Sequence, residues 1–209
     1  MKTSRLFTIL TSTALLFSCS LNEIDNNLSE GGSASGEQTT LYASFDDTKT
    51  ALQEDWSVFW ETGDELAVIG NSDVHSFTAD QGGAAASAFT GDLAEDQPLY
   101  AVYPKQSYTE RDGNKLNIEI PNLQYGLKNG FDSNAAVCVG KIDGDCVTLS
   151  HIVALVRFPL TTDDIASVSI SNAAGAKIAG SVSVTIPDSG APVVSGATSD
   201  HVLILPDGD

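Results

Sequence analysis

The run Leu149-Ser150-His151-Ile152-Val153-Ala154-Leu155-Val156-Arg157-Phe158-Pro159-Leu160 decides the fold class. Successive side chains of a strand point to opposite faces. Ile152, Ala154, Val156, Phe158 and Leu160 would then share one wholly apolar face, directed at an opposing sheet. The other face carries His151, Val153, Leu155 and Arg157, apolar in the middle and polar at its ends. That pattern predicts a central core strand, whose buried Val, Ile, Leu and Phe side chains contribute roughly 1.5 to 3 kcal/mol each. Val156→Asp is accordingly expected to prevent folding.

Outward from this run, short segments rich in Val, Ile, Thr and aromatics alternate with Gly, Pro, Asn and Asp. Strands are expected at 40–45, 57–60, 65–69, 74–78, 99–103, 116–120, 135–139, 146–150, 152–160, 165–171, 177–186 and 201–205. No window of a dozen residues has an apolar repeat near 3.6, and 84–86 offers at most a turn of helix. There is no internal repeat of the kind that builds propellers or solenoids. Many short strands without intervening helices predict an all-β fold, an antiparallel β-sandwich or barrel over 39–209.

Ahead of it, 20–38 is polar, with Gly31, Gly32, Ser33, Ser35 and Gly36 close together, and reads as a flexible tether. The first eighteen residues have a different texture. Lys2 and Arg5 precede an apolar run from Leu6 to Phe17, the length of a signal-peptide core and too short for a bilayer, which needs roughly 20 apolar residues. Leu16-Phe17-Ser18-Cys19 resembles the lipobox of bacterial lipoproteins, with Phe17 larger than usual. The resemblance implies cleavage before Cys19, fatty acylation (palmitate) of that cysteine, and anchoring by lipid. The alternative is an ordinary secretory signal that contains a cysteine. Several acyl chains on one residue hold stably, where one holds only marginally. Glu23 and Asp25 resemble a loosely defined surface-export signal of some Gram-negative lipoproteins.

The chain has 10 basic and 28 acidic residues, net −18. Without residues 1–18, which hold two basic and no acidic side chains, the balance is 8 against 28, or −20. A surface of that sign repels phosphate backbones, so no nucleic-acid partner is expected. Beyond Cys19 only Cys138 and Cys146 remain. They flank Asp143-Gly144, a hairpin signal that places Lys141 opposite Cys146 and Cys138 opposite Leu149. The sulfurs would face opposite ways, outside the reach of a disulfide, as two buried thiols.

Four stretches, in order, resemble the fimbrillin family of pilins and pilus-accessory lipoproteins. They are Asp47-Thr48-Lys49-Thr50 followed by Val58-Phe59-Trp60-Glu61-Thr62-Gly63-Asp64-Glu65-Leu66-Ala67-Val68; Leu99-Tyr100-Ala101-Val102-Tyr103-Pro104; Leu149-Ser150-His151 with Ala154-Leu155-Val156-Arg157-Phe158; and Val168-Ser169-Ile170 with Ile178-Ala179-Gly180. The resemblance implies a transthyretin-like sandwich and an outer-membrane, lipid-anchored location at the cell surface or on a pilus. It also implies fimbrillin subunits as partners by strand exchange, a β-augmentation event, and host or bacterial surface ligands. Family subunits usually continue into a second sandwich domain, whereas this sequence stops at Asp209, as a one-domain variant or a fragment would. Family processing follows an arginine. Between Cys19 and Trp56 there is none, and Lys49 is the sole basic residue and the sole candidate cleavage site. An unprocessed anchor or accessory module is the favoured expectation.

Enzymatic chemistry finds no footing. There is no nucleophile elbow, and no motif links His75, His151 or His201 to a nucleophile, so His151 reads as a hydrogen-bonded structural residue. Gly175 to Gly180 echoes a phosphate loop without its lysine, and Asp143-Gly144-Asp145 lacks the further acids of a calcium loop. Neither a cofactor nor a metal is expected. Trp60 is assigned to the core, and Trp56 is a candidate platform for sugar stacking, which keeps a surface glycan-binding lipoprotein as the rival reading.

Overall fold

The structure, a computed structural model, describes residues 38–46, 59–106, 110–126, 131–156 and 164–206. Among them are fourteen strands, one 3-10 turn and no α-helix, so the described part of the chain is all-β. The strands are β1 (Gln38–Phe45), β2 (Glu65–Gly70), β3 (Val74–Ala79), β4 (Ala86–Asp92), β5 (Pro98–Tyr103), β6 (Glu110–Asp112) and β7 (Lys115–Ile120). They continue with β8 (Leu123–Gly126), β9 (Cys138–Asp143), β10 (Cys146–His151), β11 (Val168–Ser171), β12 (Gly180–Thr185), β13 (Val193–Ser195) and β14 (His201–Pro206).

Seven strands close into a barrel in the order β1-β10-β9-β5-β2-β3-β4, with β4 returning to β1. A ring with an odd number of strands cannot alternate in direction all the way round. One neighbouring pair must run parallel, and it is β1 with β10, with Phe45 opposite Leu149. The sandwich implied by the family resemblance is therefore met by a closed sheet with one parallel seam, the barrel that the strand pattern also allows. A four-stranded sheet, β13-β12-β7-β6, and a three-stranded sheet, β11-β14-β8, complete the described part.

Two cores follow from this layering. The barrel interior holds Leu41, Ala43 and Phe45 of β1 with Trp60, Leu66, Val68, Phe77, Phe89, Tyr103, Cys138 and Leu149. The second core lies between the outer face of β2, β5 and β9 and the inner face of β7 and β12, with Ile69, Val102, Val139, Leu116, Ile118 and Val184 among its members. Strands buried on both faces lose polar alternation. This is why β2 reads Glu-Leu-Ala-Val-Ile-Gly, with Leu66 and Val68 facing one core and Ala67 and Ile69 the other. The covering strand β7, Lys-Leu-Asn-Ile-Glu-Ile, alternates cleanly.

Several expectations are corrected. The strand assigned to 152–160 does not form over its described residues: β10 ends at His151, and Val156 is 65% exposed. β9 begins only at Cys138, after a 3-10 turn over Ser133–Ala135, so the ladder offers residues beyond Ile152 no continuing partner. Ile152 and Val153 rest against the second core; Phe158 and Leu160 lie outside the described residues. Phe59 and Trp60 belong to no strand. Where a helical turn was admitted at 84–86, a bend leads into β4. The β9–β10 hairpin pairs Asp143 with Cys146 and His151 with Cys138, so its loop is Gly144-Asp145. Gly144, at φ +61°, takes the first loop position, the place that a II′ turn gives to glycine. This two-residue change of register keeps every side chain on its expected face. Cys138 points into the barrel, Cys146 is partly exposed on the outside, and the sulfurs are not bonded to each other.

Candidate functional site

Cys19, Lys49 and Trp56, the residues singled out for lipid attachment, processing and glycan stacking, lie outside the described residues. Between positions 19 and 49 the described residues contribute β1 and the side chains that hold it.

β1 enters the barrel between β4 and β10 and ends in an aromatic cluster. Phe45 stacks on Trp60 at 4.3 Å between ring centroids and on His151 at 5.6 Å, and meets Tyr103 edge-on. Trp60 packs edge-on against Phe89 and Tyr103 and is 1% exposed, the core position expected for it. Such offset-stacked and edge-to-face pairs contribute about 0.5 to 1.5 kcal/mol each beyond burial. The indole Nε1 donates to the carbonyl of Ala43 at 3.2 Å, so Trp60 grips β1 through both ring and backbone. The Tyr103 hydroxyl donates to Asp64 Oδ1 at 3.2 Å.

Tyr103, Cys138 and His151 are cross-strand neighbours on β5, β9 and β10. The hairpin thereby joins a thiol and an imidazole that lie thirteen residues apart, with Cys138 Sγ 2.9 Å from His151 Nδ1. Sequence reasoning found no partner for His151; the hairpin register was the signal that carries it. An activated cysteine needs a lowered thiol pKa. Here burial pushes the Cys138 thiol up and the His151 imidazole down, so both stay neutral at physiological pH. Burial, followed by the Asp64 carboxylate, likewise raises Tyr103. His151 Nε2 is buried with no hydrogen-bond partner among the described residues. The hydrogen bond expected of His151 is thus present, with a buried thiol as its partner.

The other histidines serve carboxylates: His201 Nδ1 lies 2.8 Å from Asp200, and His75 Nε2 3.2 Å from Asp96. Asp96 also accepts from the backbone N–H groups of Asn71, Ser72, Asp73 and Gln97 at 2.8 to 3.1 Å. Burial alone would raise its pKa, but these donors outweigh it and hold the carboxyl far below the usual range. The carboxylate thus fastens the β2–β3 turn to the β4–β5 loop. Among the described residues no group of three or more His, Cys, Asp or Glu is arranged to hold a metal, and no helix is long and apolar enough to cross a membrane.

Compared with protein-family models, curated proteins and solved structures, the chain matches none.

Proposed function

We propose that the chain is a fimbrillin-type lipoprotein of the outer-membrane surface, held by acyl groups on Cys19 and acting as a pilus-associated anchor, accessory or adhesion module. The observation that carries this reading is the placement of β1. It begins at Gln38, where the tether read from the sequence ends, and sends Leu41, Ala43 and Phe45 into the barrel core. A lipid at Cys19 therefore pulls on a strand paired along both edges, the geometry an anchor requires. The transthyretin-like element of the proposal is the second core, where the β7–β12 sheet packs on the β2-β5-β9 wall as the layers of a sandwich do.

The same placement bears on processing. Cleavage at Lys49 followed by departure of β1 would strip two strand edges and leave Trp60 without its acceptor on Ala43. Retention of β1 costs none of this, which supports the unprocessed module over a released shaft subunit. The test is membrane fractionation with metabolic labelling by an alkyne palmitate analogue. Wild type should partition into the outer membrane and carry label, and Cys19→Ser should lose both. An unlabelled wild-type chain, or a Cys19→Ser chain that still fractionates with the membrane, overturns the anchor.

A further inference from the structure

The geometry points to a binding groove for a neutral sugar ring on the outer face of the barrel, across β1, β4 and the β3–β4 loop. Tyr42 of β1 is paired with Ala88 of β4, and on the far side of Ala88 the backbone of Asp80 donates to the Ala88 carbonyl at 2.9 Å. Tyr42 and Asp80 thus stand on either side of Ala88, two strand spacings or roughly 10 Å apart. Between them is a groove of about 410 Å³, lined by Tyr42, Asp80, Gln81, Ala84, Ala86 and Ala88. The β4 part of its lining is small, the methyls of Ala86 and Ala88 and the hydroxymethyl of Ser87, so a flat ring can approach the sheet.

The walls supply what a saccharide uses. Tyr42 is 51% exposed and lines the groove, and a phenol ring can both stack on a ligand and hydrogen-bond to it. Asp80 is oriented by Thr90, whose hydroxyl donates to Oδ2 at 3.0 Å, and its carboxylate has further acceptor positions. Among the described residues no hydrogen bond engages the side-chain amide of Gln81, which both donates and accepts. Carboxylate, amide and phenol beside one aromatic face suit a polyhydroxylated ring.

The loop is also held in place. A β-carbon at Gly82 would fall 2.7 Å from the Thr62 backbone nitrogen, while Gly83 donates to the Trp60 carbonyl and Trp60 to that of Ala84. The Ser87 hydroxyl donates to the Gln81 carbonyl at 2.7 Å. A groove fixed before binding loses less entropy when filled. Charge selects among sugars: Asp80 in the wall and a net charge of −18 disfavour sulfated, sialylated or uronic acid rings. The site therefore takes an uncharged hexose or N-acetylhexosamine. It concerns the adhesive role of the module and stands whether or not Cys19 carries lipid.

The test is affinity electrophoresis of the full-length protein in mild detergent through gels containing immobilised maltohexaose, cellohexaose, mannohexaose or chitohexaose, with a lysine-rich peptide as the cationic comparison. At least one neutral oligosaccharide should retard wild type, Tyr42→Ala should reduce the retardation tenfold or more, and Tyr42→Phe should keep most of it. Ala88→Leu, which fills the floor and leaves Tyr42 in place, should abolish it without lowering the melting temperature. No retardation by any of the four sugars overturns the proposal. So does retardation that both Tyr42→Ala and Ala88→Leu leave intact, or binding confined to the cationic peptide. Membrane fractionation of Cys19→Ser reports on the anchor separately.

Discussion

Gly70 and Asp96 approach so closely that a β-carbon at position 70 would fall 2.0 Å from Asp96 Oδ2. The contact exists because the backbone after Gly70 folds over the carboxylate and turns three successive N–H groups, of Asn71, Ser72 and Asp73, toward it. The loop carrying Asp96 adopts positive φ at Ala94 and Glu95, a backbone state that persists only where surrounding contacts over-determine it. Gly70→Ala is therefore expected to expel the carboxylate and lower the melting temperature, and Asp96→Asn to do so more mildly. The folded-state pKa of Asp96 is depressed, so its stabilisation is complete above about 3.8 and declines as pH falls below it. In urea melts the deficit of Asp96→Asn should be larger at pH 7 than at pH 3. A deficit that does not change with pH would show that the carboxylate charge plays no part.

Trp60 joins the barrel interior to β1 through Phe45 stacking and the Ala43 carbonyl. Trp60→Ala should cost about 3 to 5 kcal/mol, the range for a large aromatic removed from a packed core. Trp60→Phe should recover most of the packing and leave the Ala43 carbonyl short of its donor, an added cost of about 1 to 3 kcal/mol. Denaturant midpoints of the two variants separate the contributions. A Trp60→Phe chain as stable as wild type would mean that the indole N–H contributes nothing.

What could be read from the sequence follows local chemistry. β1, β2, β3, β5, β7, β10 and β14 announce themselves by Val, Ile, Leu and aromatic runs bounded by turn residues, as in Glu65–Gly70 and Lys115–Ile120. β4 does not, because Ala86-Ser87-Ala88-Phe89-Thr90-Gly91-Asp92 carries one large apolar residue and a glycine. Its Gly91 is required by a neighbour: a β-carbon there would sit 2.5 Å from the Phe77 ring across the β3–β4 ladder. Short edge strands such as β6 and β13, three residues each, are fixed by β7 and β12 and not by their own sequence. Barrel could not be told from sandwich for the same reason, since the β1–β10 seam joins residues about a hundred positions apart. Of the candidate site, the core position of Trp60 and the hydrogen bonding of His151 were legible; the Asp96 fastening and the Tyr42 groove depend on loops brought together by the fold.

Val156 separates pattern from structure. Its alternation with Ile152 and Ala154 imitates a core strand, yet its side chain is 65% exposed, while Leu149 of the same run is fully buried in the barrel. Val156→Asp should change stability by no more than about 0.5 kcal/mol, as exposed substitutions do. Leu149→Asp should abolish folding, because a carboxylate would enter an apolar core without a partner. Expression and melting curves of the two variants give the answer, and loss of folding in Val156→Asp would restore the strand assignment.

The thiols should differ in reactivity. Cys138 is wholly buried and burial raises its pKa, so it forms little thiolate and meets no reagent. Cys146, partly exposed beside Asp145, is reachable from solvent. In a Cys19→Ser background, Ellman's reagent should modify one thiol per native chain and two in urea, with Cys146→Ser removing the native reaction. Rapid modification of both thiols in the native chain would place Cys138 outside the barrel.

His151 gives the fold a pH dependence distinct from that of Asp96. Burial lowers its pKa from the ordinary 6.5, so the unfolded chain binds this proton more readily than the native one. The linkage sign is then fixed: stability falls as pH drops below about 6.5 and levels off once the folded-state pKa is passed. Protonation would also set a cation against the Cys138 thiol and leave a charged Nε2 buried without an acceptor among the described residues. His151→Phe keeps the stack on Phe45 and removes the proton. Its stability between pH 7 and pH 5 should decline less steeply than that of wild type, measured by urea midpoints at half-unit intervals. Parallel pH profiles for the two proteins would show that the imidazole binds its proton equally well in the folded and unfolded chain, as a solvated side chain would.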